Sequence, residues 1–263
     1  MLPAISVVVP AFNEAARIGD TLRATIGYLC ARSAGSELIV VNDGSTDGTG
    51  EVVRKVLAEH AMLTARLLEH SPNRGKGAAV RQGLLAATKP IAAFFDADLS
   101  TPIDELPKII EPIARGEADV AFGSRALDRK LIGNRQPWRR EQGGRVFNLL
   151  VRVATGLPFW DTQCGFKAFR MQACRNVIAA ARVNGFGFDV ELLFLAERAG
   201  LRLRELPVRW NHYEGSKVDF ARDSLRMLRE VIALRSHFNA GEYDVAAGPT
   251  SSGVKTPEVG RPA

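Results

Sequence analysis

The sequence Ile91-Ala92-Ala93-Phe94-Phe95-Asp96-Ala97-Asp98-Leu99-Ser100 sets the interpretation of the whole chain. Its first five residues are apolar and follow Pro90, which predicts a strand buried on both faces. Asp96 and Asp98 come where this strand should end. Because side chains alternate along extended backbone, both carboxylates should point to one side, where they can face a polyanion or a divalent cation. Mg²⁺ and Mn²⁺ take carboxylate and phosphate oxygens, so the pair is a candidate metal site, although acidic pairs in solvated loops are also common.

Composition indicates a globular protein with an anionic partner. The chain has 263 residues, of which 46% are hydrophobic, and this is enough to bury the core of one large α/β domain. The formal net charge is +6. Most of this net charge lies between Arg125 and Arg145, a basic cluster that suits nucleic acid, a membrane surface or a phosphorylated substrate.

Cysteine usage and the N-terminus predict the compartment. Cys30, Cys164 and Cys174 are odd in number and lack metal-ligand spacing, which favours a reducing environment. The N-terminal residues lack the basic region of a signal peptide. The longest charge-free run, Met1–Asn13, is interrupted by two prolines and is too short to span a bilayer. We therefore expect a cytoplasmic protein whose membrane association, if any, is peripheral and at the inner face.

Strand-like and helix-like segments alternate through the first half of the chain. β-Branched runs predict strands, and apolar residues at helical spacing predict the helices between them. Five strands joined in this way predict an α/β fold, with a mostly parallel central sheet between two layers of helices. The predicted strands are Ile5–Pro10, Glu37–Asn42, Ala65–Glu69, the run before Asp96 and Val120–Ser124, and the predicted helices are Ala15–Leu29, Gly50–Glu59, one from the loop Ser71–Gly77 to Ala87, and Asp104–Ile113.

The second half is less regular. We expect two basic amphipathic helices, Glu141–Thr155 and Asp219–Phe238, a polar turn and strand over Asp161–Arg170, and a helix that ends at Ala199. Leu201–Trp210 predicts a further pair of strands. Residues 239–263 are rich in Gly, Pro, Ser and Thr without apolar periodicity, so one domain over 1–238 should precede a disordered tail.

In parallel α/β sheets, ligands collect beyond the carboxyl ends of the strands. This rule brings five polar segments to one rim of the predicted sheet. We expect the functional site at that rim, built from Pro10–Glu14, Asp43–Asp47, Arg74–Lys76, Asp96–Ser100 and Ser124–Arg125.

Two of these segments suit a sugar nucleotide. Asp43 can accept hydrogen bonds from a base edge or ribose hydroxyls, or it can close an Asx-turn before Gly44. The segment Asn73–Gly77 combines the cations of Arg74 and Lys76 with glycines at the start of a helix, where backbone amides can meet phosphate. It is not a P-loop, because the required spacing and the Ser or Thr after the lysine are missing.

The order of the motifs along the chain is more specific than any one motif. Together they resemble the family-2 glycosyltransferases, which have the Rossmann-like GT-A fold, and within that family the polyprenyl-phosphate sugar synthases, particularly the dolichyl-phosphate β-glucosyltransferases. The resemblance covers roughly Ile5–Phe238. The motifs that carry it are Val9–Glu14, Val41–Thr49, Asn73–Gly77, Asp96–Asp98, Gly123–Arg125, Asp161–Lys167, Phe188–Leu192 and Glu214–Lys217.

This resemblance implies a role for each matching residue. Pro10, Phe12, Glu14 and Asp43 would hold the nucleotide, with Lys76 from the adjoining loop. Asp96 would contact both the ribose and the ion, and Asp98 would be a metal ligand. Arg125 would bind the acceptor phosphate, assisted by Lys217 and by arginines of the basic cluster such as Arg139.

The implied chemistry is a single displacement at the anomeric carbon with inversion. A lipid phosphate is already ionised at neutral pH, so a strong general base is not obligatory. Asp98 and Arg125 are therefore predicted to be catalytic. Asp161 either assists as a third catalytic residue or only supports the Gln163–Gly165 loop, and the sequence does not separate the two roles.

The resulting hypothesis is a transferase that uses Mg²⁺ or Mn²⁺ and moves glucose from UDP-glucose to a polyprenyl phosphate. The close alternatives are GDP-mannose as donor and a non-lipid acceptor. A sugar-nucleotide pyrophosphorylase lacks support, because no Gly-rich loop follows the first strand, and a non-catalytic binding module is disfavoured because both Asp96 and Asp98 are present. Nucleic acid is disfavoured as a partner because the basic cluster holds few aromatic residues for stacking.

The lipid acceptor raises the question of how the chain reaches a membrane surface. The helices Glu141–Thr155 and Asp219–Phe238 could lie in the interface, with apolar faces toward the lipid. Alternatively, their apolar stripes pack on the sheet and their arginines are solvated.

Overall fold

The computed structural model describes residues 1–60, 62–133, 138–211 and 220–245, and it describes only the backbone of residues 138–143, 145–146 and 220–225. Within these ranges seven strands form one sheet in the order β3-β2-β1-β4-β6-β5-β7. All neighbouring pairs are parallel except those of β6, which runs antiparallel to β4 and to β5. The strands are β1 Ile5–Ala11, β2 Glu37–Asn42, β3 Thr64–Glu69, β4 Ile91–Phe95, β5 Val120–Ser124, β6 Phe166–Arg170 and β7 Leu203–Pro207.

Helices cover both faces of this sheet. Two short 3₁₀ turns, Ile103–Glu105 and Arg129–Leu131, lie in the loops. The α-helices are α1 Ile18–Arg32, α2 Thr49–Glu59, α3 Lys76–Ala86, α4 Leu106–Ala114, α5 Trp138–Thr155, α6 Met171–Ala180, α7 Phe188–Arg198 and α8 Phe220–Asn239.

The apolar runs of the central strands explain the three layers. Every residue of β1 and β4 is buried, and alternate side chains enter two separate cores. Val8 and Phe94 face the core that also contains side chains of α3, α6 and α7. Val7 and Phe95 face the opposite core, which contains side chains of α1, α2 and α4. The predicted α/β fold with a mostly parallel sheet between helical layers is therefore confirmed.

In the second half, one local prediction is wrong and two features were not predicted. Leu201–Trp210 holds one described strand, β7, rather than a pair, and Trp210 forms only an isolated bridge with Ile132. The helix α6 was not predicted, because it follows β6 without an intervening loop. The antiparallel insertion of β6 between β4 and β5 was also not predicted, since strand spacing along the chain carries no information about the direction of pairing.

The packed part of the chain extends beyond residue 238, where the sequence places the end of the domain. Tyr243 is buried, and its hydroxyl donates a hydrogen bond of 2.8 Å to Glu191 on α7. Residues 246–263 of the predicted tail lie outside the described residues. Among the helices that are described, none combines the length and the apolar character needed to cross a bilayer.

A buried carboxylate joins the amino ends of the central strands. Glu37 accepts hydrogen bonds from the Ser6 hydroxyl (2.6 Å) and from the Thr88 amide (2.7 Å), and it pairs with Arg66 at 3.0 Å. Burial alone would raise the pKa of the Glu37 carboxyl, but the hydrogen bonds and the charge of Arg66 hold the pKa below its usual value. The charged form of Glu37 therefore stabilises the amino ends of the central strands, at the end of the sheet opposite the predicted rim.

We expect Glu37→Gln to lower the free energy of unfolding at pH 7 by about 2 kcal/mol, the range for hydrogen bonds to a charged group. A lowered pKa in the folded state stabilises the protein above the unfolded pKa of about 4.3, and this stabilisation is lost as pH falls through the folded value. Urea denaturation between pH 7 and pH 3 should show the difference between wild type and variant shrinking toward acid. The exposed Glu51→Gln is the control, and a difference that does not change with pH would contradict the assignment.

Candidate active site

A cavity of about 620 Å³ opens at the carboxyl ends of β1, β2 and β4. Each predicted rim segment after these strands contributes at least one residue to its walls, so strands far apart in sequence bring these residues to one place. Its polar and charged lining from these segments and the adjoining loops comprises Glu14, Arg17, Asp43, Asn73, Arg74, Lys76, Asp96 and Asp98, and Pro10 and Phe12 contribute apolar surface.

Asp43 binds the next loop of the protein. Its carboxylate accepts hydrogen bonds from the backbone amides of Arg74 (2.9 Å) and Gly75 (2.8 Å), from the Asn73 side chain (2.7 Å), and lies 2.5 Å from the Nδ1 atom of His70. These contacts differ from the Asx-turn that was the alternative for this residue. Asp43 therefore fixes the shape of the loop that faces the cavity.

Glycines allow this loop to approach its neighbours closely. A Cβ atom at Gly44 would lie 2.6 Å from the amide nitrogen of Asn73, and Gly44 has a φ of +73°. Gly75, with φ of +100°, precedes α3 and lies against the Asn184 carbonyl, where no side chain fits. The first turn of α3, which begins at Lys76, thereby lies in the cavity wall.

Lys76 and Asp96 form an ion pair in the cavity wall. The Lys76 Nζ atom lies 2.6 Å from Asp96 Oδ1 and 6.0 Å from the centre of the Phe186 ring. Burial alone would lower the pKa of Lys76, but the carboxylates of Asp96 and Asp189 raise it, so the ammonium remains charged. Asp98 follows two residues later, and its Oδ1 accepts the Ser100 amide at 2.9 Å.

The donor set of this region fits a divalent ion that is shared with a ligand. The predicted metal residues Asp96 and Asp98 both line the cavity. Among the residues that the structure describes, no cluster of three or more His, Cys, Asp or Glu side chains could enclose a metal. Two carboxylates suit an ion that completes its shell with water and diphosphate oxygens, which is how Mg²⁺ is usually held at phosphate sites.

A second, smaller cavity of about 90 Å³ adjoins the first. Asp96 and Asp98 line both cavities, so the two spaces meet at this pair. Arg125, Gln163 and Trp210 form part of the second wall. The two cavities thus offer one place for a large ligand and another for a small anionic group.

Arg125 is held by Asp161 in a two-point ion pair. Arg125 Nε and Nη2 donate to the two carboxylate oxygens of Asp161 at 2.6 and 2.8 Å, and the Arg125 amide donates to the same carboxylate at 3.0 Å. Burial by itself would raise the pKa of Asp161, but the guanidinium holds the pKa below its usual range. The Cζ atom of Arg125 lies 5.7 Å from the centre of the Trp210 ring.

These contacts separate the two roles considered for Asp161. A carboxylate with a lowered pKa that already accepts two hydrogen bonds from a guanidinium is a poor proton acceptor. Asp161 also accepts the Gln163 amide at 3.2 Å. The geometry therefore favours the supporting role, in which Asp161 orients Arg125 and the adjoining loop.

The remaining predicted residues fall into two groups. Pro10, Phe12 and Glu14 line the large cavity; Phe12 is 44% exposed, and Glu14 pairs with Arg17. Lys217 lies outside the described residues, and for Arg139 only the backbone of α5 is described.

Sequence reasoning missed the far wall of the large cavity. It is formed by the loop before α7 and by α8, through Asn184, Gly185, Phe186, Arg226, Met227 and Glu230. The available signal was the Gly185-Phe186-Gly187 spacing, because a Cβ atom at either glycine would lie 2.8 Å from the Glu230 carboxylate. Spacing alone does not identify the partner helix.

Comparison with known proteins places this geometry among glycosyltransferases. The family model described as Glycosyl transferase family 2 matches residues 6–178. The chain is 33% identical to a dolichyl-phosphate beta-glucosyltransferase from Saccharomyces cerevisiae over 91% of this chain and 76% of that protein. It is 36% identical to the enzyme of that name from Drosophila melanogaster, over 92% of this chain and 78% of the relative.

A solved structure confirms the fold. Glucosyl-3-phosphoglycerate synthase from Mycobacterium tuberculosis, in complex with Mn²⁺, UDP and glucosyl-3-phosphoglycerate, superposes with a TM-score of 0.62 and 24% sequence identity, covering 94% of this chain and 81% of that one. The sheet is the GT-A sheet that the motif order predicted. With the family match spanning both aspartates and the rim loops, the chain belongs to glycosyl transferase family 2.

Proposed function

We propose that this chain transfers glucose from UDP-glucose to the phosphate of a polyprenyl lipid, with inversion at the anomeric carbon. The observation that carries the proposal is the meeting of two cavities at Asp96 and Asp98. A donor in the larger cavity and an acceptor phosphate in the smaller one would approach each other at this pair. Relatives over most of the chain that are named dolichyl-phosphate beta-glucosyltransferases support the choice of sugar and acceptor.

The larger cavity supports the binding of a nucleoside diphosphate sugar. In the proposal, Pro10, Phe12, Glu14 and Asp43 surround the nucleoside. The ammonium of Lys76, together with the N-terminus of α3, would offset the charge of the diphosphate. Asp43 would act through the loop it fixes as much as through direct contact, because its oxygens already accept four hydrogen bonds.

Asp96 and Asp98 would hold Mg²⁺ or Mn²⁺ against the diphosphate. Bound there, the ion would supply charge stabilisation for the departing nucleoside diphosphate. Lys76 lies 2.6 Å from Asp96, and its ammonium would also stabilise the negative charge that develops on the departing diphosphate. The complex of a structural neighbour with Mn²⁺ and UDP supports a divalent ion without identifying which one this chain uses.

Arg125 would bind the acceptor phosphate in the smaller cavity. Nε and Nη2 are engaged with Asp161, so the guanidinium has one fixed orientation before the acceptor arrives. An ionised phosphate oxygen would form the new bond to the anomeric carbon while the bond to the nucleoside diphosphate breaks. No side chain needs to remove a proton, which agrees with the low pKa of Asp161. Arg139 and Lys217 stay as proposed helpers of Arg125.

A lipid acceptor requires a surface that meets the membrane, and the pair α5 and α8 offers one. Phe147, Val151 and Val231 pack into the core. The outer side of the pair leaves other apolar side chains exposed among arginines. Val153 is 72% exposed and Ile232 is 59% exposed, and Leu149, Leu150, Arg229 and Arg235 are exposed as well. The buried residues agree with the alternative in which the apolar stripes pack on the core. For the exposed residues we propose peripheral binding to the membrane.

The decisive experiment incubates purified protein with Mn²⁺, a polyprenyl phosphate and either labelled UDP-glucose or labelled GDP-mannose, and counts label extracted into organic solvent. We expect label from UDP-glucose, its loss in EDTA, and a fall of at least about 100-fold in Asp98→Asn, which removes a proposed metal ligand. Asp20→Asn, a highly exposed carboxylate on α1, is the matched control and should retain activity.

Other outcomes would redirect the proposal. Label from GDP-mannose alone would assign a mannosyltransferase. Transfer only to a soluble acceptor such as 3-phosphoglycerate would contradict the lipid acceptor while leaving the family assignment intact.

The membrane surface can be tested without activity. We expect wild-type protein to sediment with vesicles of phosphatidylcholine and phosphatidylglycerol, and Leu149→Gln with Val153→Gln to reduce the bound fraction severalfold because exposed apolar contacts are lost. Raising the salt concentration should weaken binding, since charge contributes to it. Met62→Gln, at a 98% exposed methionine outside this surface, is the control. Equal binding of wild type and double variant would contradict the proposed surface.

A further inference from the structure

A completely buried lysine lies in the central sheet close to the aspartate pair. Lys167 on β6 has no exposed surface. Its Nζ atom donates to Asp189 Oδ1 and to the Cys164 carbonyl, both at 2.6 Å. The rings of Phe94 and Phe122 lie 5.7 and 6.0 Å away. A buried ammonium is costly unless it is paired, so these two contacts determine where both partners lie.

The first contact leads to Asp96 through the backbone. The Cys164 carbonyl that Lys167 holds is followed directly by Gly165. The Asp96 amide donates to the Gly165 carbonyl at 3.2 Å, and a Cβ atom at position 165 would overlap the Asp96 carboxylate. The Asp96 carboxylate therefore packs directly against the Gly165 backbone. Lys167 fixes the position of that backbone through its hydrogen bond to the Cys164 carbonyl.

The second contact leads to the same carboxylate through Lys76. Asp189 is the second residue of α7, and the ring of its neighbour Phe188 lies 5.9 Å from Lys76 Nζ. Asp189 acts electrostatically on Lys76, which in turn pairs with Asp96. Charges of alternating sign thus run from Lys167 through Asp189 and Lys76 to Asp96.

We propose that Lys167 is a positioning residue, which sets the Asp96 carboxylate for the divalent ion and diphosphate through the Cys164–Gly165 backbone on one side and Asp189 on the other. The inference rests on the proposed function in taking Asp96 as a ligand of the metal and diphosphate. Lys167 itself does not reach either cavity. Removal of a residue that orients a metal ligand typically lowers the metal affinity 10- to 100-fold.

A single variant and a double variant distinguish the positioning role of Lys167 from a purely structural role. Lys167→Met leaves Asp189 buried without its partner and should lower stability. Lys167→Met with Asp189→Asn removes both charges, and such neutral replacements of buried pairs often restore stability. The positioning role predicts that affinity for the metal and nucleotide stays low in this double variant, because no donor holds the Cys164 carbonyl and the negative charge of Asp189 no longer acts on Lys76.

The experiment measures Mn²⁺ binding by the loss of the free-ion EPR signal and nucleotide binding by calorimetry in the presence of Mn²⁺. The nucleotide is whichever of UDP and GDP the wild-type protein binds, so an error in the proposed donor does not affect the result. We expect the Kd of the double variant to rise about tenfold while its melting temperature stays near that of wild type.

Asp119→Asn is the matched control. Asp119 is a buried carboxylate paired with Arg170 and Arg202. It lies at the amino end of β5, whereas the cavities lie at the carboxyl ends of the parallel strands. This variant should lose stability and keep its affinity for Mn²⁺ and nucleotide. If the double variant binds both within twofold of wild type, or if Asp119→Asn loses affinity equally, the positioning role of Lys167 is wrong.

Discussion

The contact between the Gly165 backbone and the Asp96 carboxylate is the constraint on which the site depends. Asp96 follows β4 in the first half of the fold, whereas Gly165 precedes β6, the strand that runs antiparallel to β4. A side chain at position 165 would displace the carboxylate. The two halves of the chain therefore meet where the two cavities meet, and neither half builds the site alone.

Charge explains why this meeting place suits sugar transfer. Lys76 lines the larger cavity and Arg125 the smaller one, and each is held by a carboxylate of the protein. Both substrates of the proposed reaction carry phosphate, and both would bring negative charge toward Asp96 and Asp98. Fixed cations in the two cavities, together with a divalent ion, offset that charge without rearrangement of the protein.

The sequence predicted the parts of the site that follow parallel strands. Asp43, Lys76, Asp96 and Arg125 were placed on one rim because strand ends in such sheets share an edge, and the structure brings them there. The contribution of α8 and the direction of β6 were not predicted from the sequence, since both depend on contacts between distant segments. The roles of Asp43 and Asp161 were left open for the same reason: a carboxylate that serves the backbone and one that serves a ligand look alike in sequence.

In the proposed reaction, donor diphosphate and acceptor phosphate approach Asp96 and Asp98 from two different cavities. A crystal structure with Mn²⁺, UDP and a short-chain polyprenyl phosphate tests it most directly. We expect the ion between Asp98 and the diphosphate, with the diphosphate near Lys76 and the lipid phosphate at Arg125. A lipid phosphate bound in the larger cavity, or a diphosphate that does not approach the aspartates, would contradict it.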